Sequence, residues 1–160
     1  MKIKTIHLFV IAIILSLFIF ILLMLDSGII NFGEKEKAEE KIVTKIIDGD
    51  TVIIEGGENV RLLGIDTDEK GEKCYSAAKK RITELILNQK VKVEKDIEDK
   101  DQYDRLLRWI FLNETNINLQ LVKEGLAVAR FENKDIKYKE EIQQAEQNAI
   151  NNKIGCKWQD

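Results

Sequence analysis

Histidine is almost absent from this chain of 160 residues, and the single one, His7, lies close to the N-terminus. The rest of the sequence therefore has no imidazole to act as a general base, as the partner of a nucleophile or as a metal ligand. This absence excludes Ser-His-Asp and Cys-His catalysis and histidine-zinc sites from residues 26–160.

An excess of positive charge is also missing. The formal net charge is −3, and beyond residue 25 acidic residues outnumber basic ones by five. Proteins that bind nucleic acid through bulk electrostatics carry charge of the opposite sign. A polyanionic partner must therefore be held by a few local contacts.

Only one long hydrophobic run is present, from Leu8 to Leu25, with Ser16 as its single polar residue. A helix of this length spans roughly 27 Å, close to the thickness of a bilayer core. Lys2 and Lys4 precede the run, so the positive-inside rule places the remainder of the chain outside the cytoplasm. Residues 1–25 are predicted to be a transmembrane anchor that keeps the domain at the membrane. A cleaved secretory signal, which would release it, is the alternative.

The mixed charges of residues 26–40 predict a solvated linker, and residues 41–160 are enough for one domain. Short β-branched runs between turn residues predict strands, and apolar residues at helical spacing predict helices. The predicted strands are Ile42–Ile47, Thr51–Ile54, Val60–Ile65, Lys90–Lys95 and Arg105–Leu112. The predicted helices are Ser76–Leu87, Asn116–Glu124 and a last one striped by Tyr138, Ile142, Ala145 and Ala149. This order predicts an α+β fold, a five-stranded OB-type β-barrel with three helices, preceded by the transmembrane helix.

Charged residues and turns coincide at three predicted strand ends, namely Asp48–Thr51, Arg61 with Asp66–Glu69, and Asp101–Arg105. Carboxylates and a backbone carbonyl are hard oxygen ligands, which suit Ca²⁺ or Mg²⁺ better than zinc or copper. Asp50 and Asp66 are the best candidate ligands because they come from two different strand ends.

The same spots contain groups that can act on a phosphodiester. Arg61 and Arg105 can clamp a phosphate bidentately and meet the charge that builds on its oxygens. A water nucleophile needs a carboxylate base when no histidine is present, and Glu69 follows Asp66 by three residues.

Each spot also has a simpler interpretation. Asp48-Gly49-Asp50 is ordinary turn chemistry, an acidic loop is usually solvated surface, and Arg105 alone is an ordinary charge at a strand end. Only the joint occurrence of the three spots favours a catalytic site.

From about Lys41 to Trp158 the chain resembles the thermonuclease, or staphylococcal nuclease-like, family. Three family motifs match in order. They are Asp-Gly-Asp-Thr at Asp48–Thr51, Arg-x-x-x-x-Asp-Thr-Pro-Glu at Arg61–Glu69, and Asp-x-Tyr-Gly-Arg at Asp101–Arg105. The resemblance implies an OB-fold barrel with three helices that hydrolyses DNA and RNA to 3′-phosphate ends.

The resemblance also implies roles for single residues. Asp50, Asp66 and the Thr67 carbonyl would bind calcium, Glu69 would be the general base, and Arg61 and Arg105 would be the phosphate clamps. Tyr103 matches a substrate-stacking tyrosine of such sites. Phe131 lies where another aromatic is expected, although core packing is the favoured interpretation for it.

Two residues depart from the family motifs, with Asp68 in place of proline and Asp104 in place of glycine. Loss of proline is expected to leave the loop carrying Glu69 freer, and Asp68 to add negative charge near the metal. The extra carboxylates can tighten calcium binding or repel phosphate, and the sequence leaves both effects open.

Cys74 and Cys156 are the only cysteines. A domain outside the cytoplasm lies where disulfides persist, so a bridge between them is the favoured interpretation. Free buried thiols are the alternative.

The leading hypothesis is a monomeric, calcium-dependent nuclease that acts on DNA and RNA outside the cytoplasm. The competing hypothesis is a non-catalytic OB-fold module that binds single-stranded nucleic acid or a protein, which the net negative charge favours. Retention of Arg61, Glu69 and Arg105 argues against it, because a binding module needs no general base. The preference for DNA or RNA, the biological role and the cleavage of the leader stay open.

Overall fold

A computed structural model describes residues 2–26, 39–131, 134–135 and 137–159. Its first element is the helix α1, Lys2–Asp26, which contains the predicted apolar run. Within the described residues, no helix has the length and apolar character needed to cross a membrane. The helix is thus present, but its predicted membrane-spanning character is not confirmed.

The chain divides into two units, Met1–Lys37 and Ala38–Asp160. Most of the predicted linker 26–40 lies outside the described residues. The second unit contains all the predicted motifs.

An antiparallel meander opens the second unit. Strand β1 is Glu39–Ile46, β2 is Thr51–Ile54 and β3 is Asn59–Leu62. The turn between β1 and β2 is closed by the Ile47 amide, which donates to the Thr51 carbonyl at 2.9 Å. Alternating β-branched residues place one face of these strands in the core, as their period of two requires.

Two later strands close the meander into a barrel. Strand β5, Lys90–Glu94, pairs antiparallel with both β1 and β6, and β6, Leu106–Leu112, pairs parallel with β3. The closed order is that of a five-stranded OB-type barrel, and the predicted α+β fold is confirmed. The short strand β7, Thr115–Asn116, extends the sheet beyond β6.

Three helices of this unit bury an apolar face, and a fourth, single-turn helix follows them. They are α2 Tyr75–Ile86, α3 Ile117–Lys123, α4 Lys139–Asn151 and a single turn, α5 Gly155–Trp158. Asn116 caps α3 by accepting a hydrogen bond from the Leu119 amide. The core they close includes Ile82 of α2, Leu121 of α3 and Ile142 of α4, packed with the buried Trp109 of β6.

The predicted strand Val60–Ile65 is wrong in its second half. Gly64 adopts φ +71°, which ends β3 and turns the chain. A Cβ at this position would lie 2.6 Å from the Trp109 ring and 2.9 Å from the Phe131 ring. A new strand β4, Ile65–Thr67, then pairs antiparallel with β8, Ala127–Ala129. This pair carries residues 66 and 67 toward the rim of the barrel.

Candidate active site

Asp50 is the most buried carboxylate of the predicted site. Its Oδ2 accepts hydrogen bonds from the Thr67 amide at 2.8 Å and the Thr67 hydroxyl at 2.9 Å. The turn can approach Thr67 this closely only because residue 49 is glycine, since a Cβ there would lie 2.7 Å from Thr67 Oγ1. The Asp-Gly-Asp-Thr motif thus has a steric reason for its glycine as well as a turn.

Arg61 joins the two carboxylates that were predicted as metal ligands. Its Nη1 lies 2.8 Å from Asp50 Oδ1, and its Nη2 donates to Asp66 Oδ1 at 2.8 Å. The guanidinium is 15% exposed, so both ion pairs are partly shielded from water. The structure therefore brings Asp50, Arg61, Asp66 and Thr67 together from β2, β3 and β4.

The second predicted clamp, Arg105, is held by its own motif. Its Nε donates to Asp101 Oδ2 at 2.7 Å, and its guanidinium lies 5.5 Å from the centre of the Tyr103 ring. Burial acts to raise the pKa of Asp101, but the hydrogen bonds from Arg105 and Tyr103 outweigh it and hold that pKa below its usual value. Asp101 thus stays ionised and orients Arg105.

The substitution at Asp104 has a local explanation. Asp104 adopts φ +64°, the left-handed conformation that glycine takes most easily and aspartate tolerates. Its carboxylate is exposed and accepts a hydrogen bond from Lys100 Nζ at 2.8 Å. The added charge is therefore paired with a lysine on the same loop.

A pocket of about 140 Å³ lies at the rim of the barrel. Arg61, Arg105 and Arg130 line it together with Asp101 and the backbone around Gly64. Two of these arginines were predicted, and Arg130 was missed. It follows the short strand β8, and no local pattern around it indicates that β8 pairs with β4.

Glu69 stands apart from this pocket. Its side chain is exposed and does not line the cavity, while its amide donates to Glu72 Oε2 at 2.7 Å. Tyr103 is 71% exposed beside Arg105, whereas Phe131 packs against the core. The predicted clamps thus share one pocket, and the predicted base lies outside it.

The expectation that Asp68 leaves its loop freer is wrong. Its Oδ1 pairs with Lys157 Nζ, and its Oδ2 accepts the Cys74 amide at 2.7 Å where α2 begins. Burial acts to raise the pKa of Asp68, but these contacts outweigh it and lower that pKa. The carboxylate therefore binds Lys157 and the start of α2. These contacts fasten the loop instead of freeing it.

The same region holds the disulfide that was predicted. Cys74 and Cys156 are bridged, with their Cα atoms 5.6 Å apart and 82 positions between them in sequence. Lys73 Nζ also donates to the Gln159 carbonyl. These links and the Asp68–Lys157 pair fasten the segment 68–74 to the C-terminal residues, and we call them the loop anchor.

The oxygen donors of the site suit a hard divalent cation. Two carboxylates, Asp50 and Asp66, lie on either side of one guanidinium, and Thr67 contacts the first of them. Burial raises the pKa of Asp50 despite its pairing with Arg61, and the neighbouring charge of Asp48 acts in the same direction. A buried carboxylate that is short of positive charge fits a cation ligand.

The donor set is nevertheless small. Among the residues that the structure describes, no group of three or more histidine, cysteine, aspartate or glutamate side chains could hold a metal. A calcium ion here would take its remaining ligands from backbone and water oxygens.

The chain is similar to known proteins over most of its length. Residues 59–160 match the family model described as staphylococcal nuclease homologue. The chain is 35% identical over 141 residues to the thermonuclease of Staphylococcus hyicus, covering 79% of this chain and 81% of the relative. It is 38% identical over 126 residues to the thermonuclease of Staphylococcus intermedius, covering 71% and 73%. The endonuclease YncB of Bacillus subtilis is 35% identical over 139 residues, covering 80% and 66%.

Proposed function

Because the chain belongs to the staphylococcal nuclease homologue family, we propose that it is a calcium-dependent endonuclease that hydrolyses phosphodiester bonds of DNA and RNA. The observation that carries this proposal is a pocket lined by both Arg61 and Arg105, in which Arg61 also contacts the carboxylates of Asp50 and Asp66.

The charges of the pocket support a requirement for a cation. Arg61, Arg105 and Arg130 are matched by the carboxylates of Asp50, Asp66 and Asp101 that contact them. Without a metal this set is neutral, so it gives little attraction for an anionic phosphodiester. A bound divalent cation would make the set positive and would polarise a phosphoryl oxygen.

The two clamps have separate tasks in this proposal. Arg61 is held by Asp50 and Asp66, the two carboxylates proposed as metal ligands, and Arg105 is oriented by Asp101. Guanidinium groups fixed before substrate arrives can stabilise the charge that develops on the phosphoryl oxygens without reorganising.

Glu69 is proposed as the general base that takes the proton from the attacking water. Its side chain is exposed, and catalytic contacts of a ligand-free site often tighten only when substrate binds. The anchor fastens the neighbouring Asp68, so the loop that carries Glu69 is already fixed at one end.

The test is cleavage of denatured DNA in calcium and then in a chelator. Glu69→Gln is expected to lower the cleavage rate by a factor of about 10² to 10⁴ while the fold is kept. Glu114→Gln is the matched control, since it neutralises an exposed carboxylate in the turn between β6 and β7. Cleavage by Glu69→Gln at the wild-type rate would contradict the assignment of the base.

A non-catalytic binding module is the second candidate, and the position of Glu69 outside the pocket lining favours it. Such a module would retain labelled single strands in calcium without shortening them. The same gel decides, because a nuclease shortens the DNA in calcium and leaves it intact in chelator.

We also propose that the domain works outside the cytoplasm. The Cys74–Cys156 bridge supports this location, because disulfides persist in oxidising compartments. The apolar run Leu8–Leu25 after Lys2 and Lys4 supports export of the chain, with the leader either retained at the membrane or cleaved.

A further inference from the structure

We propose that Arg130 is a substrate-binding residue that contacts Asp66 while the metal is absent and contacts a substrate phosphate once a divalent cation has bound Asp66. This inference rests on the proposed function and adds a third arginine to its phosphate site.

The fold brings the side chain of Arg130 close to Asp66. Strands β4 and β8 pair antiparallel with Asp66 beside Val128, and the Arg130 amide donates to the Gly64 carbonyl at 2.9 Å. From this position the Arg130 Nη1 lies 3.0 Å from Asp66 Oδ2. The same side chain lines the pocket with Arg61 and Arg105.

The two ion pairs at Asp66 differ in their exposure to solvent. Arg61 is 15% exposed and binds Asp66 Oδ1 and Asp50 at the same time. Arg130 is 51% exposed, and an ion pair in that environment is weakened by solvent and contributes about 1 kcal/mol or less. A cation that competes for the oxygens of Asp66 will therefore displace Arg130 before Arg61.

Displacement from Asp66 leaves Arg130 at the wall of the pocket where the phosphate is proposed to bind. A planar guanidinium can then form two parallel hydrogen bonds with phosphoryl oxygens. Arg130 thus competes with the metal for Asp66, whereas it binds the phosphate of the substrate. A residue with a purely structural role would not show this pair of effects.

The experiment uses the full-length Glu69→Gln protein, which is expected to bind DNA without cutting it. Arg130→Gln, Arg130→Lys and Lys80→Gln are each added to it, and the last removes an exposed charge on α2 as the matched control. Calorimetry measures the affinity for calcium alone. Fluorescence anisotropy measures the affinity for a ten-nucleotide oligothymidylate in saturating calcium over a series of salt concentrations.

Arg130→Gln is expected to bind calcium several-fold more tightly and the oligonucleotide several-fold more weakly. Its plot of log affinity against log salt should be shallower by about 0.7, the contribution of one phosphate contact on a single strand. Arg130→Lys should restore the parent salt slope because it keeps the charge. Lys80→Gln should leave calcium affinity at the parent value.

An unchanged salt slope in Arg130→Gln overturns the contact with substrate, and an unchanged calcium affinity overturns the exchange at Asp66. Either result leaves the nuclease proposal intact when the Glu69→Gln parent binds the oligonucleotide in calcium. If that parent binds no oligonucleotide and the wild type cleaves none, the inference and the proposed function fail together.

Discussion

Asp50 belongs to the candidate site and Asp68 to the loop anchor, and the two aspartates differ in their electrostatics. Their side chains are 8% and 11% exposed, and each accepts a backbone amide and pairs with a cation. Yet burial raises the pKa of Asp50, whereas the contacts of Asp68 with Lys157 and the Cys74 amide overcome burial and lower its pKa. The two pKa values shift in opposite directions because burial dominates at Asp50 and is outweighed at Asp68.

The pairing of the two carboxylates with positive charge also differs. Arg61 divides one charge between the carboxylates of Asp50 and Asp66, while Lys157 pairs with Asp68. A buried carboxylate that is incompletely compensated costs stability. A cation can therefore stabilise the charge of Asp50, whereas the carboxylate of Asp68 is already paired with Lys157. Active sites often carry such a cost while the surrounding fold supplies the stability.

The largest expected effect comes from breaking the anchor covalently. Replacing both Cys74 and Cys156 by serine removes a bridge across 82 positions. The loop-entropy model predicts a loss of about 4 kcal/mol in the free energy of unfolding. Urea unfolding of wild type and double variant measures it. Dithiothreitol should lower the stability of the wild type alone, and equal stability of all samples would contradict a stabilising bridge.

Local patterns in the sequence predicted most of the barrel. Alternating β-branched residues indicated β1, β2, β5 and β6, because strand periodicity depends on neighbouring residues. Gly64 was assigned to a strand because its positive φ and its contact with Trp109 arise only from the tertiary fold. The motifs also predicted that Arg61, Asp50 and Asp66 belong to one site, and the contacts of Arg61 with both aspartates agree with this.

Contacts between distant segments were not predictable in this way. Arg130 reaches Asp66 through the pairing of two strands of three residues each, too short to give a periodic signal. The orientation of Asp68 depends on Lys157, which is 89 positions away. The family motif placed Asp68 beside a metal ligand, and sequence proximity alone suggested that its charge would act on the metal.

The second prediction removes the charge of the anchor and keeps its shape. Asp68→Asn leaves the nearly buried ammonium of Lys157 without its carboxylate, so stability should fall by about 2 kcal/mol. Urea unfolding in chelator measures the change. Lys157→Gln is the partner control, and the double variant should lose much less than the sum of the single losses because both changes break one pair. Additive losses would contradict a direct interaction.

The third prediction makes the same change, from aspartate to asparagine, in the candidate site. Asp50→Asn resembles the protonated aspartate, the form that burial favours, so stability in chelator should rise by about 1 kcal/mol. Calcium-dependent cleavage should fall at least tenfold, because a proposed metal ligand loses its charge. If Asp50→Asn lowered the stability as much as Asp68→Asn does, the opposite pKa shifts assigned to the two aspartates would be contradicted.

The smallest effect to measure is the pH range over which each variant differs from the wild type. The folded-state pKa of Asp50 is raised, so ionisation of this group destabilises the folded state. The destabilisation is complete above the folded pKa and disappears as the pH falls to the unfolded pKa near 3.9. As the pH falls, the gain in stability from Asp50→Asn should therefore shrink, and it should be lost by about pH 4.

The folded-state pKa of Asp68 is lowered. Its contribution to stability is therefore complete above the unfolded pKa and disappears only as the pH falls through the lower folded pKa. The loss from Asp68→Asn should thus persist to a more acidic pH than the gain from Asp50→Asn. Unfolding titrations of both variants and wild type in chelator measure the two windows, and windows in the reverse order would contradict the assigned directions.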